Sequence, residues 1–221
     1  MARWRNALAL VFDVDGVIID SNTLHTETWG EYLRRFGREL PEGFALRIFG
    51  RHNREIVRDL LGPGLSDAAI EHHGADKEAL YRERARPVLR QRLVAGVAEF
   101  IERHAGWPMA VASNAEPANV AFVLEHAGLR QFFRAVLDGS QVRRPKPDPE
   151  IYLRTAQMLG VAPAQCVVFE DSHSGVAAAR AAGARIVGVQ TTHAELPGAD
   201  LLIRDFLAPE LEALIPELRN C

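Results

Sequence analysis

Six short apolar runs punctuate the chain: Ala7 to Phe12, Met109 to Ala112, Ala135 to Leu137, Cys166 to Phe169, Ile186 to Val189 and Leu201 to Ile203. They are of strand length and lack the alternation of a half-exposed strand, so they predict strands buried on both faces. Between and after them, Pro117 to Ala127, Asp148 to Leu159 and Ser174 to Ala182 read as helices, with Gly128, Gly160 and Gly183 as stop signals. Strand alternating with helix at this spacing predicts an α/β fold, a parallel sheet covered by helices on both faces and joined by right-handed crossovers. Ligands on such sheets sit beyond the carboxyl ends of the strands.

Residues 21 to about 93 break this pattern. Leu24, Trp29, Leu33 and Phe36 recur at helical spacing, and Arg47 to Leu61 and Asp76 to Arg92 also read as helices, punctuated by Pro41, Gly62-Pro63-Gly64 and Gly74. The stretch predicts an all-helical insert placed as a lid over the end of the first strand.

Polar residues gather where four of the predicted strands end. Asp13 and Asp15 leave the first strand two residues apart, so both can reach one site, and Gly16 lets the backbone turn sharply beside a ligand. On its own this quartet also fits an ordinary Asp-Gly turn. Ser113-Asn114 follow the second run, ahead of a helix N-terminus of the kind that favours anions. Lys146 lies in Arg143-Arg144-Pro145-Lys146-Pro147-Asp148, just before a helix, and Glu170-Asp171-Ser172 close the run at Phe169. Four clusters at four strand ends of one sheet converge on one crevice.

Composition sharpens this picture at two points. A 221-residue chain with 48% hydrophobic and 25% charged residues buries a sizeable core without disulfides or zinc, and its two cysteines, Cys166 and Cys221, form no framework for either. A net charge of −3 argues against a nucleic-acid binder and leaves small-molecule chemistry as the better expectation. No run approaches the roughly 20 apolar residues of a membrane span, and the first residues show no signal-peptide pattern, so a cytoplasmic protein is expected. Of 26 basic residues only Lys77 and Lys146 are lysines. Because ammonium is a compact point charge and guanidinium a broad plane, both lysines are candidates for sites where arginine does not serve, the alternative being chance survival on a solvated face.

The four clusters, in order, are similar to the four motifs of the haloacid dehalogenase-like phosphotransferase superfamily, and the helical insert resembles that of its small-cap branch, which holds beta-phosphoglucomutase and phosphoglycolate phosphatase. The resemblance spans nearly the whole chain. It implies a Rossmann-like core, residues 1–19 and 94–221, with a helical cap at 20–93. It further implies Asp13 as nucleophile through an aspartyl phosphate and Asp15 as general acid and base. Mg²⁺ would be held by Asp13, the Asp15 main-chain carbonyl and Asp171, with Glu170 as a near partner. Ser113, the Asn114 main chain and Lys146 would grip the phosphoryl oxygens, Lys146 also offsetting the charge of Asp13. A dehalogenase needs neither Asp15 nor Mg²⁺, so the pattern implies phosphoryl transfer.

Within that branch the residues point two ways. Ser21, His25 and Trp29 match the spacing in beta-phosphoglucomutase, and Lys77, four before Tyr81, falls where that enzyme has a cap lysine. Where the mutase offers Ser, Lys and Asn side chains to phosphate, however, this chain has Ala115, Glu116 and Pro117, and Glu116 repels phosphate. The stretch Gly50-Arg51-His52-Asn53-Arg54-Glu55 also resembles phosphatase caps. The expectation is therefore a monomeric, Mg²⁺-dependent phosphatase acting on a small phosphorylated metabolite, a sugar or sugar-acid phosphate, with His25, Arg54 and Lys77 facing the substrate. A mutase is the alternative, and a non-enzymatic scaffold is disfavoured by the complete set Asp13, Asp15, Lys146 and Asp171. Other cap residues have plainer readings: Trp29 as core, Asp20 and Ser21 as helix caps, and Arg82, Arg84, Arg86, Arg90 and Arg92 as a solvated face.

Overall fold

The computed structural model describes residues 9–44, 51, 53–211 and 213–214. Six parallel strands form one sheet: β1 (Ala9–Phe12), β2 (Met109–Ala112), β3 (Ala135–Leu137), β4 (Cys166–Glu170), β5 (Arg185–Val189) and β6 (Leu201–Ile203). Their order across the sheet is β3-β2-β1-β4-β5-β6, so chain order reverses direction at β1. This is the switch point where adjoining loops splay apart and leave a crevice. The register aligns the strand ends there, with Phe12 opposite both Val111 and Phe169.

Every residue of β1 and β2 is buried, and alternate side chains enter different cores. Leu10 and Phe12 join Met109, Val111, Val167 and Phe169 in one cluster, which helices α4 (Val97–Arg103) and α5 (Pro117–Ala127) cover. Ala9 and Val11 join Ala110, Ala112, Cys166 and Val168 in the other, under α6 (Glu150–Leu159) and α7 (His173–Ala181). The period-two alternation of a two-sided sheet is thus met by apolar residues at every position. Phe12 stacks on Phe169 at 4.7 Å between ring centroids and meets Phe100 and Phe133 edge-on, which anchors the strand that carries the site.

Between β1 and α4 lie α1 (Asn22–Arg34), α2 (Asn53–Leu61) and α3 (Asp67–Ala85), which close on their own cluster of Trp29, Tyr32, Leu33, Ile56, Val57, Leu60, Ile70 and Leu80. The chain leaves and re-enters the sheet side by side: Asp20 N donates to Arg92 O at 2.8 Å and Val94 N to Ile18 O at 3.0 Å. Two adjacent backbone crossings therefore carry the whole insert.

The structure corrects several sequence-based boundaries. Gly74 does not interrupt a helix; α3 starts at Asp67, capped by Ser66 Oγ accepting from Ala69 N, and runs through it. Glycine is placed there for closeness, since a Cβ would stand 3.2 Å from Asn53 Nδ2. The same helix ends at Ala85 rather than Arg92, because Pro87 offers no N–H to continue it, and only a 3₁₀ turn, Leu89–Arg92, follows. Likewise α6 begins at Glu150, after Pro149, instead of Asp148, whose carboxylate accepts from Glu150 N. Helix α4 has no counterpart in the periodicity reading. Ala7, Leu8, the predicted helical start from Arg47, Gly50, His52 and Cys221 lie outside the described residues. No described helix is long and apolar enough to cross a membrane.

Candidate active site

Asp13 is the first residue beyond β1, and its N–H donates to Phe169 O, so the strand pairing itself fixes its position. Gly16, at φ +72°, turns the chain back at once; a Cβ there would stand 1.8 Å from Asp171 Oδ2. Only glycine permits that approach. Gly175 plays the same part on α7, where a Cβ would fall 1.9 Å from the Glu170 carboxylate carbon.

Lys146 organises the centre. Its ammonium donates to Asp13 Oδ1 at 2.9 Å, Glu170 Oε1 at 2.6 Å and Ala112 O at 2.9 Å, which occupies all three of its hydrogens. The Asn114 side chain steadies this loop, its Oδ1 accepting from Lys146 N at 3.1 Å. Burial works against the charge on Lys146, yet Asp13 and Glu170 hold its pKa above the ordinary amine range. Glu170 is fully buried, with Oε1 taken by Lys146 and the Tyr152 hydroxyl and Oε2 by the Asp171 and Ser172 amides and Ser172 Oγ.

Asp13, Glu170 and Asp171 bring carboxylate oxygens within 4.8 Å of one another. One ammonium does not balance three carboxylates in a buried place. Burial, with the charges of Glu170 and Asp15, pushes Asp13 up to about 7 against the pull of Lys146, and burial with Glu170 and Asp13 raises Asp171 well above its usual range. The cluster is short of positive charge and offers only oxygen donors, which fits a hard cation such as Mg²⁺. Asp171 Oδ2 accepts from Thr192 Oγ1, which in turn accepts from Asn22 Nδ2 at 2.5 Å.

Asp15 stands in a different environment. Burial alone would raise its pKa, but a hydrogen bond and charge from His25, the Ser21 hydroxyl and the Lys77 charge together bring it below its ordinary value. Ser21 is therefore not the helix cap that its position implies; its Oγ donates to Asp15 Oδ1 at 2.5 Å. His25 stacks on Tyr81 at 3.9 Å with Nε2 3.5 Å from Asp15 Oδ1. Its Nδ1 accepts from Lys77 Nζ at 2.8 Å, which places the remaining ring proton on Nε2, facing Asp15. Lys77 is buried, donates to Glu78 Oε1 at 2.8 Å, and lies 5.0 Å over the Trp29 ring.

A cavity of about 590 Å³ opens onto this centre, a size suited to a small metabolite. Asp13, Asp15, Ser113, Asn114, Lys146 and Asp171 line it from the sheet side, and His25, Arg54 and Lys77 from the insert. Glu170 stands behind Lys146 instead. Ser113 Oγ accepts from Ala115 N at 3.2 Å, and its O–H hydrogen can still donate to a ligand. Arg54 is already engaged, pairing with Asp67 at 2.7 Å and with Glu71. Arg82 departs from the expected solvated face: it is half-buried and donates to Asn119 Oδ1 at 2.7 Å, whereas Arg84, Arg86 and Arg90 are exposed. Sequence reasoning missed Tyr152, Thr192 and the pair Glu78–Asn119, joined at 2.7 Å. The available signal for Tyr152 was a tyrosine at a buried position of α6, next to Ile151.

The chain matches the family model described as haloacid dehalogenase-like hydrolase over residues 8–183. It is 35% identical over 187 residues to fructose-1-phosphate phosphatase YqaB of Escherichia coli (strain K12), a match covering 82% of this chain and 95% of that one. The solved beta-phosphoglucomutase of Clostridium difficile shares the fold with a TM-score of 0.83 at 24% identity, covering 95% of this chain and 96% of that one. A variant of CbbY from Rhodobacter sphaeroides, solved with xylulose-(1,5)bisphosphate, superposes with a TM-score of 0.75 at 26% identity over 90% of this chain and 95% of that one.

Proposed function

The chain belongs to the haloacid dehalogenase-like hydrolase family, in its small-cap branch, and on that premise we propose that it is a Mg²⁺-dependent phosphatase of a small phosphorylated metabolite, a sugar or sugar-acid phosphate. Residues 1–19 and 94–221 form its core and 20–93 a cap, a division supported by the separate apolar cluster of the insert and its paired crossings. The observation that carries the reading is the joint placement of Asp13, Lys146 and Asp171 at the strand ends of one cavity, with Asp15 beside them.

The sheet fixes Asp13 with its carboxylate at the cavity floor, where an oxygen can attack phosphorus while the bond to the leaving alcohol breaks. Lys146 holds the other oxygen of that carboxylate and orients it. Asp15 supplies the proton that the departing alkoxide needs, then accepts one from the water that attacks the aspartyl phosphate, releasing phosphate and restoring Asp13. His25 and Ser21 hold Asp15 in its ionised, proton-accepting form in this structure, and the arrival of a phosphate dianion raises its affinity for the proton it must donate. Ser113 O–H and the Asn114 main chain hold phosphoryl oxygens in place. Asp13, Asp171 and the Asp15 carbonyl would hold Mg²⁺, with Glu170, its oxygens already engaged, supporting from behind. Bound there, the cation supplies the positive charge that offsets the phosphoryl oxygens and the carboxylates.

The sequence positions of His25 and Lys77 match those of a phosphosugar mutase, and their contact at 2.8 Å beside Asp15 supports a mutase as the second reading. One experiment separates the two. Free phosphate is measured over a panel of sugar and sugar-acid phosphates with Mg²⁺ and with chelator, beside conversion of beta-glucose 1-phosphate. Mg²⁺-dependent release that Asp13→Asn abolishes supports the phosphatase; glucose 6-phosphate without comparable phosphate makes it a mutase.

A further inference from the structure

The cations that line the cavity already carry carboxylate partners. Among the described residues, four cations and six carboxylates line it. Arg51 is held by Glu55 at 3.2 Å and Asp59 at 2.8 Å, Arg54 by Asp67 and Glu71, Lys77 by Glu78, and Lys146 by Asp13 and Glu170. Each positive group already has its carboxylates, and Lys77 spends a second hydrogen on His25.

Glu116 is the opposite case. It stands at the start of α5, three residues beyond Ser113, with a half-buried side chain on the cavity wall. Its contact is neutral: Asn53 Nδ2, on α2, donates to Oε1 at 3.2 Å across the space between the sheet domain and the insert. Gly74 of α3 makes room for that pair, its ideal Cβ lying 3.2 Å from Asn53 Nδ2 and 3.9 Å from Glu116 Oε1. The surroundings are poor in positive charge, for burial and the Glu78 carboxylate both raise the Glu116 pKa, against weaker pulls from Asn53, Lys77 and Arg82. A carboxylate so placed accepts hydrogen bonds from hydroxyls and repels anions, and like charges a few ångströms apart at a partly buried site oppose binding by well over tenfold.

We infer that Glu116 selects a leaving group that is uncharged and hydroxyl-bearing: the substrate is the monophosphate of a neutral sugar or polyol, and a second phosphate or a carboxylate is turned away. This rests on the phosphatase reading and narrows it by excluding sugar-acid phosphates and bisphosphates. The leaving group's hydroxyls find an acceptor in Glu116 and a donor in Asn53, while the phosphoryl group takes the end lined by Ser113 and Asn114.

The test compares kcat/KM for fructose 1-phosphate and fructose 1,6-bisphosphate, which differ only in the second phosphate, and for phosphoglycolate, in the wild type, Glu116→Gln and Glu116→Lys. The inference expects the wild type to favour the monophosphate at least tenfold over both others. It expects Glu116→Lys to shift the bisphosphate-to-monophosphate ratio upwards at least tenfold, with Glu116→Gln between. A ratio unmoved by both variants, or a wild type that prefers the bisphosphate or phosphoglycolate, overturns it, because the arginines would then be releasing their partners to bind anions. Should Glu116→Lys not fold, as judged by circular dichroism, the ratio in Glu116→Gln decides. A wild type that turns over p-nitrophenyl phosphate while failing this ratio sinks the inference alone. One that releases phosphate from no ester with Mg²⁺ sinks the phosphatase reading and the inference with it.

Discussion

Replacing Lys146 by methionine keeps most of the side chain's volume and removes its charge, which isolates what that charge does. The ammonium sits 2.9 Å from Asp13 Oδ1 and 2.6 Å from Glu170 Oε1, with its side chain 3% exposed. Removing one partner of a buried ion pair costs about 3–5 kcal/mol. For a chain of this size each kcal/mol moves Tm by about 2–4 °C, so a fall of roughly 6–20 °C is expected at pH 8 in chelator. The loss must also depend on pH. Asp13 already has a folded-state pKa of about 7, raised from 3.8, so its contribution to stability is present at low pH and lost as pH rises through 7. Without Lys146 that folded pKa climbs further, and the protein escapes the penalty only by protonating Asp13. The deficit of Lys146→Met against wild type is therefore larger at pH 8.5 than at pH 5.5. Thermal unfolding followed by circular dichroism across that range measures it. A Tm at pH 8.5 within 3 °C of wild type, or a deficit independent of pH, refutes the account of a charge-starved centre.

Gly16→Ala combines a Cβ 1.8 Å from Asp171 Oδ2 with a left-handed backbone at φ +72°, so it should displace the carboxylate; phosphate release is expected to fall at least 100-fold, and unaltered kcat/KM contradicts the placement. Ser21→Ala deletes the 2.5 Å hydrogen bond to Asp15, a bond that lowers its pKa; the ionisation assigned to Asp15 in the kcat/KM profile should move to higher pH, and a profile that stays put removes Ser21 from the mechanism. Adding Mg²⁺ to chelated protein should raise Tm more at pH 8 than at pH 6, because Asp13 must lose its proton to serve as a ligand; saturation at 100 times Kd gives about 2.7 kcal/mol. Equal shifts at both pH values would mean that the cation binds elsewhere.

The sheet and the strand-end clusters were legible because buried parallel strands have no polar face: Leu10, Phe12 and their neighbours Ala9, Val11 had to be apolar alike, and the first polar residue marked the strand end. The insert was harder to read. Gly74 looks like a break in a local reading and is in fact a contact, fixed by Asn53 some twenty positions away. Ser21 carries the pattern of a cap and spends its hydroxyl on Asp15, because burial makes a bond to a carboxylate worth more than one to an amide near solvent. The partners Tyr152 and Glu78–Asn119 join segments 18 and 41 residues apart, and no periodicity records such pairings.

The bias towards arginine gains a physical meaning from where the two lysines lie. Both are buried, at 1% and 6% exposure, and both converge on acceptors at short range from different directions. Lys146 serves Asp13, Glu170 and a main-chain carbonyl; Lys77 serves His25 and Glu78 beneath the rings of Trp29 and Tyr81. Three acceptors set around one nitrogen match the tetrahedral hydrogens of an ammonium, whereas a guanidinium spreads its donors in a plane and needs room for a second nitrogen. Arginines elsewhere lie at sites with that room: Arg54 forks to Asp67 and Glu71, and Arg84 binds both oxygens of Glu31. The scarcity of lysine is therefore informative: the two exceptions to arginine are buried positions where a compact ammonium meets acceptors at short range, two carboxylates and a carbonyl at Lys146, one carboxylate and an imidazole nitrogen at Lys77.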